Sequence, residues 1–318
     1  MTDVSGTLMT EHGRHLSLLD RAELWVAWAL AGTIFLTVGW SAMAPDDPLG
    51  AVSVLTRHGA WVMLLQAAGL AAVTAALATV IAGRRLPDVG TFAAAVGLAA
   101  VSLPGGTAGS LLIQWADSAP ASQSSFPIML ALEAIAWFVI VFVARGSSSA
   151  VGRWCFGNGG GGQTDEPQAL AFEEFPLGLK SVAHGVKHSL LAGGAALVVF
   201  KILTAGLSTR SAQHGQACFV VAASVCIATY LASWMVPVRS ALWSILSAPL
   251  LAFGGYVWAS LSSPGGLPAS VPASPFLRVL PIQYIAVGTA AAVAMFWYLH
   301  HPDLHSADSH YTSPEGRG

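Results

Sequence analysis

Charge is what this sequence has least of. Only 9% of its 318 residues are Asp, Glu, Lys or Arg, 14 basic and 16 acidic, while 54% are hydrophobic. Soluble domains carry about 25% of those four residues. A 32.8 kDa chain this poor in charge cannot wet its own surface as a soluble particle. The hydrophobic excess also excludes a disordered chain. A net charge of −2 excludes a nucleic-acid binder that works through a basic surface.

Cysteine is equally scarce. Cys218 and Cys226 stand eight residues apart, about 12 Å along a helix and too far for a disulfide, and Cys155 falls on the reducing side. Absent too are the CxxC, P-loop, HExxH, GxSxG and EF-hand patterns. No long segment outside the apolar runs offers room for an active site. The expectation is a protein that is not an enzyme and carries no cofactor.

What is present is apolar length, with a mean hydropathy of +0.64. Runs of about 18 residues or more number eight: 24–43, 60–82, 89–113, 126–144, 189–207, 218–236, 240–261 and 279–300. None alternates with period two, so they read as membrane helices rather than barrel strands. Ala42-Met43-Ala44 resembles a signal-peptide cleavage site, but the preceding run is as long as a full span and Pro45 follows it. The first run is therefore expected to stay as a helix.

Basic residues orient the spans. Arg14, Arg21, Arg84, Arg85, Arg145, Arg153, Lys180, Lys187, Arg239 and Arg317 fall on one set of ends. Arg57, Arg210 and Arg278 fall on the other, and Lys201 lies inside a span. Ten against three places both termini in the cytoplasm of a cell inner or plasma membrane. Trp25, Trp28, Trp234, Trp243 and Trp297 mark the inner interface, and Trp40, Trp61, Trp115 and Trp258 the outer. Trp137 lies well inside its span and is expected to pack.

The halves resemble each other. His-Gly pairs precede spans 1, 2, 5 and 6, at His12, His58, His184 and His214. Pro87 matches Pro237, Gly105-Gly106 matches Gly254-Gly255, and Pro127 matches Pro281, with His58 to His214 and these pairs offset by 149 to 156 residues. The fold class expected is all-α: a polytopic integral membrane protein of eight transmembrane helices in two parallel four-helix repeats. Its divisions are a cytoplasmic segment 1–23, a first repeat 24–145, a Gly-rich linker 146–187, a second repeat 188–301 and a His-containing tail 302–318. The stretch 169–187 reads as an interfacial amphipathic segment or a plain linker, and 264–275 as an extended proline-rich outer loop.

Polar residues inside spans are costly in lipid, so they nominate the site. Glu133 and Lys201 each lie roughly 10 Å below the outer boundary, with Gln66 and Gln283 in the same outer half. A Glu133–Lys201 pair would either bind a substrate or ion or simply pin two helices; unpaired, Lys201 would snorkel outward and Glu133 stay protonated. Pro104 before Gly105 predicts a kink at the same depth. His58 and His214 open equivalent helices, yet two imidazoles with no third ligand make an incomplete metal or haem set. The four tail histidines (His300, His301, His305 and His310) read as a solvated tail.

Helices 2 and 3 are rich in small residues, which suits packing in the bundle or against another subunit. Two functions fit: a small-solute or ion transporter with a polar site in its outer half, or a non-catalytic structural or assembly subunit of a larger membrane complex. The expected partners are the lipid bilayer and other membrane subunits or further copies of the chain, and no nucleic acid.

Overall fold

The computed structural model describes residues 18–47, 49–55, 57, 59–83, 86, 88–118, 125–156, 179–205, 213–262 and 274–300. Their regular elements are all helices, with no strand among the described residues. The first run folds as α1 (Leu18–Ile34), a π-turn at Phe35–Gly39 and α2 (Trp40–Met43). Then come α3 (Ala60–Ala82), α4 (Val89–Val101), α5 (Ala108–Ser118) and α6 (Phe126–Phe156). The second half holds α7 (Leu179–Ala205), α8 (His214–Met235), α9 (Ala241–Ile245), α10 (Ser247–Ser262) and α11 (Pro281–His300). Segment 157–178 and the ends 1–17 and 301–318 lie outside the described residues, and so do the Gly159–Gly162 run, Pro176 and the tail histidines after His300.

Seven helices among the described residues are long and apolar enough to cross a membrane: Ala22–Met43, Ala60–Ala82, Phe126–Phe156, Ser181–Ala205, His214–Met235, Ala241–Ser262 and Pro281–His300. The chain is a multi-pass membrane protein.

The eighth expected span, 89–113, is not one helix. It stops at Val101, passes through Ser102–Thr107 and restarts as α5. Pro104 has no amide hydrogen to give, and Gly105-Gly106 costs the most entropy to hold helical. Gly254-Gly255 lies inside the continuous α10, and helix geometry breaks instead at Leu246, between α9 and α10 and three residues before Pro249. The linker also starts later than expected. α6 runs on through 146–156, and α7 begins at Leu179, taking in the basic residues up to Lys187.

Helix α3 explains how a bundle packs when lipid, not water, lies outside. Its buried face is Met63, Ala67, Ala71, Thr74, Ala75, Ala78, Thr79 and Ala82. Its exposed face carries larger chains: Val62, Leu65, Val73, Leu77 and Val80. Lipid is as apolar as leucine, so no hydrophobic gain comes from turning large side chains inward; small ones let backbones approach. Accordingly α3 packs closely on α6 and α4. At Gly90 a Cβ would overlap the Ala75 carbonyl and the Thr79 hydroxyl, and at Gly97 it would overlap the Phe35 ring of the π-turn.

Helix α4 is enclosed over most of its length, with Val89–Ala95, Gly97, Leu98 and Val101 all buried. It sits against α1, α3, α6 and α11. Helix α10 holds a comparable place against α6, α7 and α11, while α8 packs on α7 and α11, and α6 meets α11 directly.

Candidate functional site

One end of the bundle is closed by a band of hydrogen bonds that begins at Glu133. This residue is 3% exposed on α6. Its carboxylate accepts from the Ser53 hydroxyl (2.7 Å), the Val54 amide (3.0 Å) and the Trp137 indole one helical turn along (3.0 Å). Three donors supply hydrogen bonds in place of the water that a carboxyl group loses on burial.

Ser53 and Val54 belong to the connection from α2 to α3, which dips into the protein. Ala51, Val52 and Ser53 are buried. The same loop reaches the broken segment between α4 and α5, where the Gly106 amide donates to the Gly50 carbonyl (2.7 Å). The next carbonyl, of Gly105, lies 3.0 Å from Nε2 of His214 at the start of α8. Nδ1 of His214 lies 2.8 Å from Nε2 of the buried Gln283 on α11. The Leu280 amide donates to Gln283 Oε1 (3.2 Å), and the Tyr256 hydroxyl of α10 donates to the Val279 carbonyl (2.8 Å).

This chain of contacts selects one tautomer of His214. The Leu280 amide holds Gln283 Oε1 toward itself, so the Gln283 amide nitrogen faces His214 and donates to Nδ1. The imidazole must then carry its proton on Nε2 and donate it to Gly105. Both ring nitrogens are engaged, and a metal at His214 would have to displace one of these bonds. His58 lies outside the described residues.

The other two expected members of the site stand apart from Glu133. Lys201 is exposed, with its ammonium 4.6 Å over the Trp258 ring. Glu133 and Lys201 form no ion pair among the described residues. Lys201 has a long stem that carries its charge outward and a neighbouring indole face that attracts it, so pairing inside the bundle brings no advantage. Gln66 is exposed on the outer face of α3. Of the four candidates, the band takes in Glu133 and Gln283.

Ser53, Val54 and Tyr256 were not legible as members. The one available signal was the composition of Ala51-Val52-Ser53-Val54-Leu55, too apolar for an exposed loop.

The opposite end is held by charge and by α7. The Asp88 carboxylate pairs with Arg145 of α6. Asp88 also adopts a left-handed backbone, φ 67°, a conformation that Asp tolerates better than most side chains. Burial pushes its carboxyl above the usual range, against the opposing pull of Arg145. His188, fully buried on α7, donates from Nδ1 to the Val236 carbonyl (2.8 Å) and lies 3.2 Å from the Ser244 hydroxyl. The Ser189 hydroxyl donates to the Trp243 carbonyl (2.7 Å).

Two open cavities of about 320 and 340 Å³ lie elsewhere. The first is lined by Tyr230, Trp234, Pro237 and His300, the second by Ile135, Val186, Leu190 and Phe253. Comparison with protein-family models, curated proteins and solved structures returns no match.

Proposed function

We propose that this protein is a membrane transporter for a small solute or ion, in an arrangement closed on the side of the Glu133 band. The observation that carries the reading is the interrupted helix α4–α5, seated against a buried loop that a buried carboxylate holds down. Discontinuous helices are the usual builders of substrate sites in transporters, and an intramembrane carboxylate is a functional candidate by default. In this reading Glu133 is the latch, and release of Ser53 and Val54 opens a path beside Gly105-Gly106, His214 and Gln283.

The packing supports an underlying duplication. If α1, α3, α4 and α6 correspond to α7, α8, α10 and α11, then α4 on α11 is mirrored by α10 on α6. Likewise α1 on α4 is mirrored by α7 on α10, and α3 on α6 by α8 on α11, with α6 and α11 meeting at the axis. Close contact of α3 with α4 has no such counterpart between α8 and α10. We read the α4–α5 segment as a further crossing, since α4 starts beside Arg145 and the break that follows it lies beside His214. That makes eight crossings, with both termini on the basic, cytoplasmic side of an inner or plasma membrane.

A second reading is a non-enzymatic assembly subunit of a larger membrane complex. It is favoured by the partners that Glu133, His214 and Gln283 already have within the band, and by two described cavities that do not touch Glu133. Its partners would be membrane subunits or copies of the chain rather than a nucleic acid.

Proteoliposomes on solid-supported electrodes, challenged with a panel of ions and small solutes, discriminate between the two. Transport predicts solute-dependent currents that Glu133→Gln alters. Silence across the panel, together with a stoichiometric complex recovered by mild purification, would sink it.

A further inference from the structure

Gln66, like Lys201, is a polar residue that the band does not use, and unlike Lys201 it has no aromatic ring beneath it among the described residues. It lies on the exposed face of α3, about 9 Å in from the first residue of that helix. No hydrogen bond to its side chain forms among the described residues. In hydrocarbon a primary amide leaves two donors and a carbonyl acceptor unsatisfied, a cost that a lipid tail cannot relieve.

The residues around it have a regular spacing. Val62, Gln66, Gly69, Val73, Ala76 and Val80 follow one another at intervals of 4, 3, 4, 3 and 4 along α3. This is the seam of a left-handed helix pair, in which alternate steps of three and four keep one stripe facing a partner. Val62, Val73 and Val80 are more than half exposed, and Gly69 has open space where a Cβ would stand. A second helix can come close at Gly69, one turn from the amide.

We infer that this stripe is a homodimer interface, in which α3 pairs in parallel with α3 of a second copy about a twofold axis along the membrane normal. A twofold places Gln66 opposite Gln66 of the other copy. An amide is self-complementary, since each one can donate through Nε2 and accept through Oε1. No other residue type need be supplied by the partner, and this singles out a second copy over a different subunit. The inference rests on the bundle lying in a bilayer and is independent of whether anything is transported.

The test uses the full chain in its membrane, with the three native cysteines replaced by alanine. Val62→Cys and Val73→Cys are oxidised in native vesicles, beside Val198→Cys as a lipid-facing control on α7. Disulfide-linked dimers are expected for the two α3 variants and not for the control. In mild detergent, single-molecule counting of fluorescent copies measures the dimer constant. Gln66→Leu is expected to weaken it about 5- to 30-fold, Gly69→Leu to weaken it further, and Gln66→Asn to retain most of it. These changes sit on an exposed apolar face, and a gel-filtration profile confirms the fold in each. Equal cross-linking at Val198, an unchanged constant for Gln66→Leu, or cross-links only to another protein would each overturn the interface. Solute currents are read separately, so a monomer that still transports refutes the dimer alone.

Discussion

Replacing Glu133 by leucine tests whether the carboxylate holds the loop between α2 and α3. Leucine is similar in size and apolar, so the main loss is of acceptors rather than of packing. The Val54 amide and the Trp137 indole then lose their partners inside the protein; the Ser53 hydroxyl can rotate elsewhere. A buried donor left unmade costs about 1–3 kcal/mol, so the two together amount to about 2–6 kcal/mol. The lower end is the better guide, because polar groups of a protein unfolded within a membrane also find partners.

Glutamine separates charge from geometry. Its carbonyl can keep the Val54 and Trp137 bonds while its amide turns to the Ser53 oxygen, and the expected cost is only about 1 kcal/mol. Hydrogen exchange of the 50–55 amides in detergent or nanodiscs reads this directly. A loss of about 2 kcal/mol speeds exchange of the Val54 amide by roughly 30-fold in the leucine variant, against several-fold in the glutamine variant. Exchange in the leucine variant as slow as in the native protein would refute the latch. So would a glutamine variant that opens as far as the leucine one.

His214→Phe removes both ring nitrogens and leaves the Gln283 amide and the Gly105 carbonyl unpaired, so a loss of about 1–3 kcal/mol is expected as a lower thermal midpoint. His214→Asn, which can still donate and accept, should recover part of it. At the opposite end the folded Asp88 carboxyl is raised by burial. Its contribution to stability is therefore present below the unfolded value and lost as pH rises through the folded one. Midpoints measured from about pH 4 to about pH 7 should fall less in Asp88→Asn than in the native chain, since Asn keeps the left-handed backbone without the charge. Gly97→Leu drives a side chain into the Phe35 ring, at a cost of about 1–3 kcal/mol, whereas Gly32→Leu, where a Cβ meets nothing, should be nearly silent in the same melt.

The sequence by itself determined that this chain lives in a membrane and where most of its helices run. Both follow from local quantities. Apolar length sets a span because bilayer thickness is a fixed requirement on any segment that crosses it. Trp137 as a packed residue was legible for the same reason, as an aromatic group well inside its span. The break after Val101 was half legible: Pro104 announced a kink, but whether the helix would continue beyond it depended on what waited to satisfy the freed backbone. The answer came from elsewhere in the chain, as the Gly50 carbonyl and the His214 ring.

Tertiary structure alone decided which polar groups meet. Glu133 and Lys201 share a depth and have opposite charges, and sequence alone left open whether they pair or Lys201 snorkels outward. Rotation about each helix axis, set by small-residue packing between helices, turned Lys201 out onto Trp258 and Gln66 out on α3. It turned Glu133 inward to a loop whose apolar residues fold back into the protein. Depth is written along one helix and can be counted. Facing depends on all its neighbours at once, and only the folded bundle states it.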